Sequence, residues 1–433
     1  MRIIIIGNSA TAVGAIETIR QHDQQAEILA ISEEPHMIYS RPMLSHFLAG
    51  EVDRLHLAYR GSDFYTRHNV QPLLNSRVVA IDTAAHTVRV EAGNSYSYDK
   101  LLICTGGLPI VPPLPGLGAE GIFTLTRLDD ALSITQHLEE AQDSARPVRR
   151  AVVVGGGMIG IKATDALMKR HLRMTMVELA PRILSAALDE TASQLLTTLL
   201  REQGVQVLTN NTLAAIRSEN GKIAAVETRD GQVIPCELLV FGIGVRPNAD
   251  LAKAAAITVN RGIVVDSYMR TSAPDVYAAG DVAEAYDLVV DMNRIVAIWP
   301  NAYRQGAIAG AHIVGVPRGA EGGVAMNTVE VCGVPAISIG NGNMEGDPSE
   351  GYEVLVELRM SEHRYKRLVL KDNRLVGAIL VGNISRAGIY TGLIRNRLDV
   401  SACRRSLLSE HFGLLSLPDQ YRKHIVTGVG IEV

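Results

Sequence analysis

The chain has no closely spaced cysteines, and this absence excludes several kinds of site. Its four cysteines, at positions 104, 236, 332 and 403, form no CxxC motif and show no metal-ligand spacing. We therefore expect no bound metal. A reducing cytoplasm is the simplest setting for thiols scattered in this way.

Long apolar runs and an excess of one charge are also absent. No apolar stretch approaches the roughly 18 residues that a membrane-spanning helix needs. The formal net charge of −4 gives no electrostatic reason to expect binding to nucleic acid or to an anionic membrane. The first predicted strand begins at residue 2, so we expect no secretory signal before it.

What the sequence does contain is one nucleotide-binding pattern that occurs twice. The complete copy, AVVVGGGMIG (151–160), places Gly155, Gly157 and Gly160 in the GxGxxG spacing. An apolar strand precedes these glycines, a helical stretch follows, and the next strand ends on Glu178. The glycines let the backbone approach a pyrophosphate, and the helix N-terminus offers unpaired N–H groups. We interpret this unit as a dinucleotide site; a bare packing turn is the alternative.

Glu178 also bears on which nucleotide binds. Its carboxylate would accept hydrogen bonds from the ribose hydroxyls and repel a 2′-phosphate, which favours NAD(H) over NADP(H). Arg182 lies nearby in the sequence and weakens that preference.

The first copy, RIIIIGNSATAVG (2–14), has a less complete glycine pattern. An apolar strand leads into Gly7, but Ser9 and Ala12 stand where the motif has glycine. The next strand leads to Glu33 and Glu34. Since serine and alanine are the smallest replacements, the turn still admits a dinucleotide. An ordinary strand-to-helix turn, with the two glutamates as a solvated strand end, is the alternative.

Three further segments end a strand in glycine or proline: YDKLLICTGGLP (98–109), LLVFGIGVRPN (238–248) and TSAPDVYAAGDVAE (271–284). In the last segment Gly280 and Asp281 lie at a strand-to-helix junction. There, backbone N–H groups and a carboxylate can face phosphate and polyol oxygens. These segments favour a nucleotide site at the first copy.

Taken together, these motifs resemble the FAD- and NAD-dependent pyridine nucleotide-disulfide oxidoreductase family from residue 1 to about 325. The resemblance implies an α/β fold with two nucleotide-binding Rossmann-like domains, three-layered and glutathione-reductase-like, and a C-terminal α/β interface domain. We expect a discontinuous FAD-binding domain over 1–115 and 245–325, an NAD-binding domain over 116–244, and the interface domain over 326–433.

The resemblance also implies which residues contact each cofactor. YSRPMLS (39–45) would place Arg41 beside the flavin, and WPNAYRQGAIAG (299–310) would begin the helix that points at the isoalloxazine ring. Glu33 would bind the adenosine ribose and Asp281 the ribityl chain. The implied FAD contacts are Gly7, Ser9, Ala10, Ala12, Glu33, Arg41, Val78, Thr105, Gly106, Asp281 and Trp299. The implied NAD contacts are Gly155, Gly157, Met158, Ile159, Gly160, Glu178, Gly242 and Gly244.

The chain also departs from the family pattern. Disulfide reductases of the family carry a reactive cysteine beside the flavin, but residues 39–50 contain none. A dithiol relay is therefore excluded, because no sulfur is available there to accept electrons. Cys104 ends an apolar strand, and we expect it to be an inert buried thiol.

Two positions expected beside the flavin differ as well. His46 replaces the lysine that usually follows PxLS in the ferredoxin-reductase branch, and Lys162 replaces a frequent glutamate after the second fingerprint. Lys162 would place positive charge near the flavin or the nicotinamide and tune hydride transfer, so we treat both residues as candidate catalytic residues. The alternatives are a lysine that reaches water or an oxygen ligand, and a structural or solvent-facing histidine.

From about Met326 the pattern predicts strands, a hairpin that turns at Asp372-Asn373, and a helix over 386–398. By position this third matches a domain that often forms a dimer, so we expect a homo-oligomer, and the apolar tail 412–433 would dock against this chain or a partner. A basic patch here would steer an acidic iron–sulfur protein; unrelated solvated faces are the alternative. Its members are His363, Arg364, Lys366, Arg367, Arg395, Arg397, Arg404 and Arg405.

The resemblance and the missing thiols together predict an FAD-containing NAD(H) oxidoreductase that exchanges electrons with an iron–sulfur protein or iron–sulfur subunits. The chain is similar to the NAD-linked flavoprotein subunit of 2-oxoacid oxidoreductase complexes such as phenylglyoxylate dehydrogenase. A stand-alone NADH:rubredoxin or ferredoxin reductase and an NADH oxidase are alternative enzymes. A flavin-based NADH sensor or assembly factor is the non-enzymatic alternative.

Overall fold

The structure is a computed structural model that describes residues 1–142, 147–317 and 319–418. Contacts divide the chain into two compact units. Unit 1 contains Met1–Val177 and Asn211–Gly323; unit 2 contains Glu178–Asn210 and the chain from Val324 onward. These outlines differ from the three predicted domains, whose boundaries stay a prediction. The predicted docking of the tail beyond residue 418 lies outside the described residues.

The regular elements are numbered in chain order. The strands are Arg2–Ile6 (β1), Glu27–Ile31 (β2), Val70–Leu73 (β3), Val78–Asp82 (β4), Thr87–Val90 (β5), Ser95–Ser97 (β6), Lys100–Ile103 (β7), Gly107–Pro109 (β8), Ile122–Thr124 (β9), Arg150–Val154 (β10), Arg173–Val177 (β11), Gln206–Leu208 (β12), Leu213–Glu219 (β13), Lys222–Thr228 (β14), Val233–Pro235 (β15), Leu238–Phe241 (β16), Val245–Pro247 (β17), Ile263–Val264 (β18), Val276–Ala278 (β19), Ala283–Asp287 (β20), Met292–Arg294 (β21), Met326–Val331 (β22), Val334–Gly340 (β23), Tyr352–Arg359 (β24), Arg364–Lys371 (β25) and Arg374–Val381 (β26). The α-helices are Ala10–His22 (α1), Leu44–Ala49 (α2), Phe64–Arg67 (α3), Leu128–Gln142 (α4), Met158–Lys169 (α5), Glu190–Glu202 (α6), Asp250–Ala254 (α7), Trp299–Ile313 (α8) and Ala387–Arg395 (α9). Short 3-10 helices span Arg41–Met43, Leu55–Leu57, Pro348–Glu350, Met360–Glu362, Ser401–Ser406 and Leu414–Ser416.

The isoleucines near the start of the chain form the central strand of a parallel sheet in unit 1. The strand order is β19-β7-β1-β2-β3, and Ile4 lies between Leu29 and Leu101. Ile3, Ile4 and Ile5 are fully buried. β-Branched residues suit such a strand, because both of its faces are covered and their side chains pack well on a pleated surface.

A second parallel sheet carries the other fingerprint. Within unit 1 its strands run in the order β11-β10-β16-β9, with Val153 of β10 between Met176 and Val240. All three of these side chains are buried. Unit 1 also contains the smaller sheets β4-β5-β6, β13-β14-β15, β18-β20-β21 and β8-β17.

Helix α8 packs directly on α1 through glycine. A methyl group at Gly306 would lie 2.0 Å from the Thr11 carbonyl oxygen, and one at Gly14 would lie 2.1 Å from the Tyr303 carbonyl oxygen. Only glycine allows two helix backbones to approach so closely. The contact fixes α8 against the helix that begins at the first fingerprint.

Unit 2 is built on an antiparallel sheet with the order β22-β23-β26-β25-β24. Asp372 and Asn373 join β25 to β26 with φ of 49° and 61°, as in a type I′ turn, so the predicted hairpin is confirmed. Helix α9 is shorter than the predicted 386–398 and ends at Arg395. Asp189 caps α6 and accepts a hydrogen bond from the Tyr365 hydroxyl at 2.5 Å.

None of the helices in the described ranges is both long and apolar enough to cross a lipid bilayer.

Candidate functional site

The carboxyl ends of three neighbouring strands in the first sheet carry predicted FAD residues. Gly7 follows β1, Thr105 and Gly106 follow β7, and Asp281 comes shortly after β19. The three strands are adjacent and parallel, so they end at the same edge of the sheet. This edge is where open α/β sheets bind ligands. The structure therefore brings together residues that lie as many as 274 positions apart in the sequence.

The turn from β1 into α1 leaves its helix N-terminus open. Gly7 has φ of +126°, and a methyl group there would lie 2.2 Å from the Cys104 carbonyl oxygen, so the turn itself requires glycine. Ser9 is the N-cap of α1, but its hydroxyl makes no capping hydrogen bond. The first N–H groups of the helix, from Ala10 to Ala12, therefore donate no hydrogen bond to that hydroxyl and fit a pyrophosphate.

Asp281 supplies a carboxylate that has no hydrogen-bond donor among the described residues. It accepts no hydrogen bond from any residue in the described part of the chain. Burial raises the pKa of Asp281, and the positive charge of Arg41 opposes that rise. A partly buried carboxylate of this kind suits the hydroxyl groups of a polyol, which can donate the missing hydrogen bonds.

Arg41 is held by a hydrogen-bonded cluster. Its guanidinium donates to the Thr126 carbonyl oxygen at 2.7 Å and forms an ion pair with Glu34. The Tyr39 hydroxyl donates to the other Glu34 oxygen at 2.6 Å and accepts from the Leu128 N–H at 3.1 Å. These contacts position Arg41 and compensate its charge.

Glu33 has a partner that the sequence did not indicate. Arg127 forms an ion pair with Glu33 although the residues lie 94 positions apart. Sequence reasoning also missed the roles of Tyr39 and Thr126 around Arg41. No motif spacing links these residues, because they meet only through the packing of the segments before α2 and α4.

The remaining predicted FAD residues occupy separate places in unit 1. The Thr105 hydroxyl donates to the Asn248 carbonyl oxygen at 2.7 Å, and Gly106 has φ of +68° with open space beside it. Trp299 is the first residue of α8, and its ring lies edge-on to Tyr59 with centroids 4.9 Å apart. Val78 begins β4 and packs against the core of unit 1.

In the second fingerprint, the packing of the protein itself does not require a glycine at position 157. Gly155 has φ of +106°, and a methyl group at Gly160 would lie 1.8 Å from the Gly155 carbonyl oxygen, so the turn needs both. Gly157 is the N-cap of α5, has φ of −79°, and would point a methyl group into open space. That space, beside the N–H groups of Met158 and Ile159, fits a pyrophosphate that passes over the turn.

Gly242 and Gly244 follow the neighbouring strand β16. A methyl group at Gly242 would lie 2.9 Å from the Gly160 Cα, so the two turns touch, whereas Gly244 faces open space. Glu178 is the next residue after β11 in the chain, and its carboxylate accepts from the Ala180 N–H at 2.6 Å. Arg182 donates to the Leu188 carbonyl oxygen at 3.4 Å.

The two candidate catalytic residues have different surroundings. Lys162 is partly buried on α5, where burial lowers its pKa and Asp165 opposes that shift. His46 instead contacts Glu51 at 2.6 Å, and Glu51 forms an ion pair with Lys169 at 2.7 Å. This partly exposed network joins α2 to α5 and matches the structural alternative for His46.

The four cysteine thiols are at least partly buried. Cys104, Cys236 and Cys403 are buried, and Cys332 is partly buried. Burial raises the pKa of the Cys104 thiol to about 12. A thiol of that kind is almost fully protonated at neutral pH and is a poor nucleophile.

Four of the eight residues predicted as a basic patch contact carboxylate or carbonyl oxygens within unit 2. Arg364 contacts Glu410 at 3.0 Å, Arg404 pairs with Glu353, and Lys366 donates to the Leu408 carbonyl oxygen at 2.7 Å. These contacts favour separate faces over a single steering patch.

Comparisons with known proteins agree with this geometry. Residues 1–306 match the model of the pyridine nucleotide-disulphide oxidoreductase family, and residues 326–398 match the rubredoxin NAD+ reductase C-terminal domain. The chain is 30% identical to the nitrite reductase [NAD(P)H] of Bacillus subtilis, over 92% of this chain and 48% of that protein. It is 29% identical to the NADH-dependent phenylglyoxylate dehydrogenase subunit epsilon of Aromatoleum evansii, over 93% of both.

A solved structure shares the fold. The covalent putidaredoxin reductase–putidaredoxin complex contains a chain that matches with a TM-score of 0.83 and 27% identity, over 92% of this chain and 94% of that one. The chain spans about half the length of the nitrite reductase, but nearly all of the epsilon subunit. These findings confirm the predicted fold class, with two Rossmann-like domains and a C-terminal domain, and the predicted FAD and NAD(H). The individual residue assignments stay predictions.

Proposed function

Because the chain belongs to the pyridine nucleotide-disulphide oxidoreductase family, we propose that it moves electrons between NAD(H) and an iron–sulfur protein through bound FAD. One observation carries this proposal: two open nucleotide turns lie in a chain whose flavin-side segment, residues 39–50, has no sulfur. A thiol relay needs such a sulfur. Electrons would therefore leave the flavin directly, and an iron–sulfur carrier can accept them one at a time.

The residues of the first sheet edge would hold FAD, which when bound accepts a hydride from NADH and releases electrons singly or in pairs. The open N-terminus of α1 would bind the pyrophosphate, and the free carboxylate of Asp281 would accept from the ribityl hydroxyls. The Glu34–Tyr39 cluster would hold Arg41 in place. The turn of α5 would orient NAD(H), so the chain contributes mainly position and electrostatics.

The carrier is proposed to be the iron–sulfur subunits of a larger complex. The epsilon subunit of phenylglyoxylate dehydrogenase is matched almost end to end, which supports a role as the NAD-linked subunit of a 2-oxoacid oxidoreductase. A stand-alone reductase for rubredoxin or ferredoxin is the second candidate. The match of residues 326–398 to a rubredoxin NAD+ reductase domain favours it. The cytoplasmic location stays a prediction.

An affinity pull-down from native extract, with iron analysis of the eluate, tests the proposed partner. We expect iron–sulfur chains to co-purify in fixed stoichiometry if the chain is a complex subunit, and a single small iron–sulfur protein if it is a free reductase. Recovery of iron-free partners only would contradict both. Purified chain that stays colourless with added FAD would contradict the flavin assignment itself.

A dye assay separates the enzyme from a sensor and tests the thiols. The FAD-loaded chain should reduce an artificial acceptor with NADH at many turnovers per second, whereas a sensor should be very slow.

Cys104→Ala should keep turnover within about twofold, because the buried thiol takes no electrons. Loss of turnover in a folded, FAD-loaded Cys104→Ala variant would revive a thiol mechanism.

A further inference from the structure

The C-terminal ends of α2 and α5 are joined by an arginine. Arg170 follows α5 directly, and its Nε donates a hydrogen bond to the Leu48 carbonyl oxygen at 2.7 Å. Leu48 lies in the last turn of α2, where carbonyl oxygens lack a partner within the helix. Arg170 therefore caps α2 from a distant part of the sequence.

A glycine makes room for this contact. Gly50, the C-cap of α2, has φ of +79°, a left-handed conformation that other residues adopt only with strain. A methyl group at Gly50 would lie 3.4 Å from the Arg170 Cζ. The guanidinium thus lies over the open side of the glycine, which both ends α2 and receives Arg170.

An ion pair beside Arg170 ties the same two helices together. Lys169, the last residue of α5, contacts Glu51 at 2.7 Å, and Glu51 contacts His46 of α2 at 2.6 Å. The side chains of Lys169 and Glu51 are both 38% exposed, so this pair contributes less than the partly buried Arg170 contact. We name the set the α2–α5 joint: Leu48, Gly50, Glu51, Lys169 and Arg170.

The α2–α5 joint connects the two proposed nucleotide sites and lies apart from both. α2 directly follows the short helix that carries Arg41, the residue proposed to lie beside the flavin. α5 begins at the proposed NAD turn, and its last residue lies about 17 Å along the helix axis from that turn. A helix as short as α2 cannot hold itself in place, so contacts with the rest of unit 1 must fix it.

We propose that Arg170, assisted by Lys169 and Glu51, positions α2 against α5 and thereby sets the distance between the flavin and the nicotinamide. This inference rests on the proposed function, in which NADH reduces the bound FAD. The reacting atoms must approach within about 3–3.5 Å, and a misplacement of about 1 Å can cost roughly 100-fold in rate. Because a shift of α2 would move the segment that carries Arg41, Arg170 is a positioning residue that acts without contacting either cofactor.

Stopped-flow reduction of the FAD-loaded chain by NADH, without oxygen, tests the proposal. We expect Arg170→Met to lower the limiting rate of flavin reduction at least about fivefold, while the Kd for NADH changes less than about threefold. Arg170→Lys can still donate to the Leu48 oxygen and should recover most of the rate. Arg173→Met, at an exposed arginine that begins β11, removes the same charge nearby and should leave both values unchanged.

The possible outcomes separate this inference from the proposed function. A wild-type flavin that NADH does not reduce would contradict the proposed function. A wild-type flavin that NADH reduces, with a loss smaller than about fivefold in Arg170→Met, would overturn the positioning role. No recovery in Arg170→Lys would contradict the part played by the Leu48 hydrogen bond.

Hydrogen exchange followed by mass spectrometry gives a readout that needs no turnover. In the FAD-loaded chain without NADH, the amides of residues 44–51 should exchange at least about fivefold faster in Arg170→Met than in the wild type. The amides of β1 should not change. Faster exchange in both segments would indicate a role in overall stability alone, and unchanged exchange over 44–51 would refute the α2–α5 joint.

A double-mutant cycle at the exposed ion pair keeps the inference testable if Arg170→Met does not fold. Glu51→Gln and Lys169→Met should each lower the limiting rate about two- to threefold, and the double variant should lose no more than either single variant. Lys169→Arg keeps the ion pair and should retain the wild-type rate. Losses that multiply in the double variant, or no loss in either single variant, would count against the assisting role of this pair.

Discussion

At the scale of single residues, the two fingerprints differ at equivalent N-caps. Ser9 caps α1 and Gly157 caps α5, and neither makes a side-chain capping bond. The serine shows that this backbone tolerates a side chain at the cap. The open space beside Gly157 is therefore best explained by a ligand, which makes the position a direct test of nucleotide binding.

Gly157→Asp should keep the fold and lose NADH. Aspartate is among the best N-cap residues and favours the positive helix end, so the free energy of unfolding should stay equal or rise by about 0.5 kcal/mol. The same carboxylate would occupy the N–H groups and repel a pyrophosphate, so the Kd for NADH should rise at least about 100-fold. Isothermal titration and urea unfolding measure both effects. Gly157→Ser, a neutral cap, is the control and should bind NADH far better.

Lys162→Met should stabilise the chain at neutral pH. Burial lowers the folded-state pKa of Lys162, so the unfolded state binds the proton more tightly. The resulting cost is full below the lowered pKa and vanishes as the pH approaches the ordinary lysine value of about 10.4. The advantage of the variant in urea unfolding should therefore be present at pH 7 and shrink as the pH rises toward that value.

Lys169→Met is the matched control for that experiment. Glu51 and Asp165 raise the pKa of Lys169 despite some burial, so its charge stabilises the folded chain below the ordinary lysine pKa. Loss of this lysine should lower the free energy of unfolding at pH 7, opposite in sign to Lys162→Met. Equal signs would mean that lost packing, and not charge, dominates both variants.

Glu178→Gln should lower the ratio of the flavin reduction rate with NADH to the rate with NADPH. The carboxylate would repel a 2′-phosphate, so wild-type flavin should be reduced by NADH at least about tenfold faster than by NADPH under anaerobic conditions. The neutral amide keeps the shape of the side chain and removes the repulsion. Stopped-flow absorbance would measure the two rates; equal wild-type rates would count against the role of Glu178.

At the scale of elements, the local parts of the fold could be predicted and the long-range pairings could not. The predicted helix from Ala10 to Gln21 is observed as Ala10–His22. It could be predicted because glycine spacing and apolar periodicity are local patterns that extend over a few helical turns. The ion pair between Arg127 and Glu33 depends on how separate segments pack, and no local pattern encodes it. For the same reason the sequence pattern could not distinguish Glu33 from Glu34, although Glu33 pairs with Arg127 and Glu34 pairs with Arg41.

Helix packing gives a prediction at this scale. Gly306→Ala would place a methyl group 2.0 Å from the Thr11 backbone and push α8 away from α1. We expect a loss of about 1–3 kcal/mol in the free energy of unfolding and a lower FAD content, because α1 begins at the proposed FAD turn. Gly392→Ala, on helix α9 with open space around it, should instead stabilise by up to about 1 kcal/mol. Denaturation curves and flavin absorbance check both.

At the scale of the whole molecule, the proposed FAD site joins the ends of three strands and two helices. Bound FAD should therefore stabilise the folded chain. Removal of FAD should lower the Tm, and adding it back at 100 times its Kd should restore about 2.7 kcal/mol. Differential scanning calorimetry with FAD, and with NADH alone, measures this. A Tm that does not respond to FAD would contradict binding at the carboxyl edge of that sheet.

The strand order β19-β7-β1 also determines when, during translation, each strand of this sheet can find its neighbour. β1 and β7 are complete once residue 103 has been made, but the strand that covers the outer side of β7 ends at residue 278. At typical translation rates of about 5–20 residues per second, that edge waits roughly 10–35 s for its neighbour. During this interval the nascent chain exposes the unpaired outer edge of β7, at Leu101, Leu102 and Ile103. Pairing of β7 with β19 therefore cannot precede synthesis of residue 278, and we expect chaperones to bind the exposed edge until then.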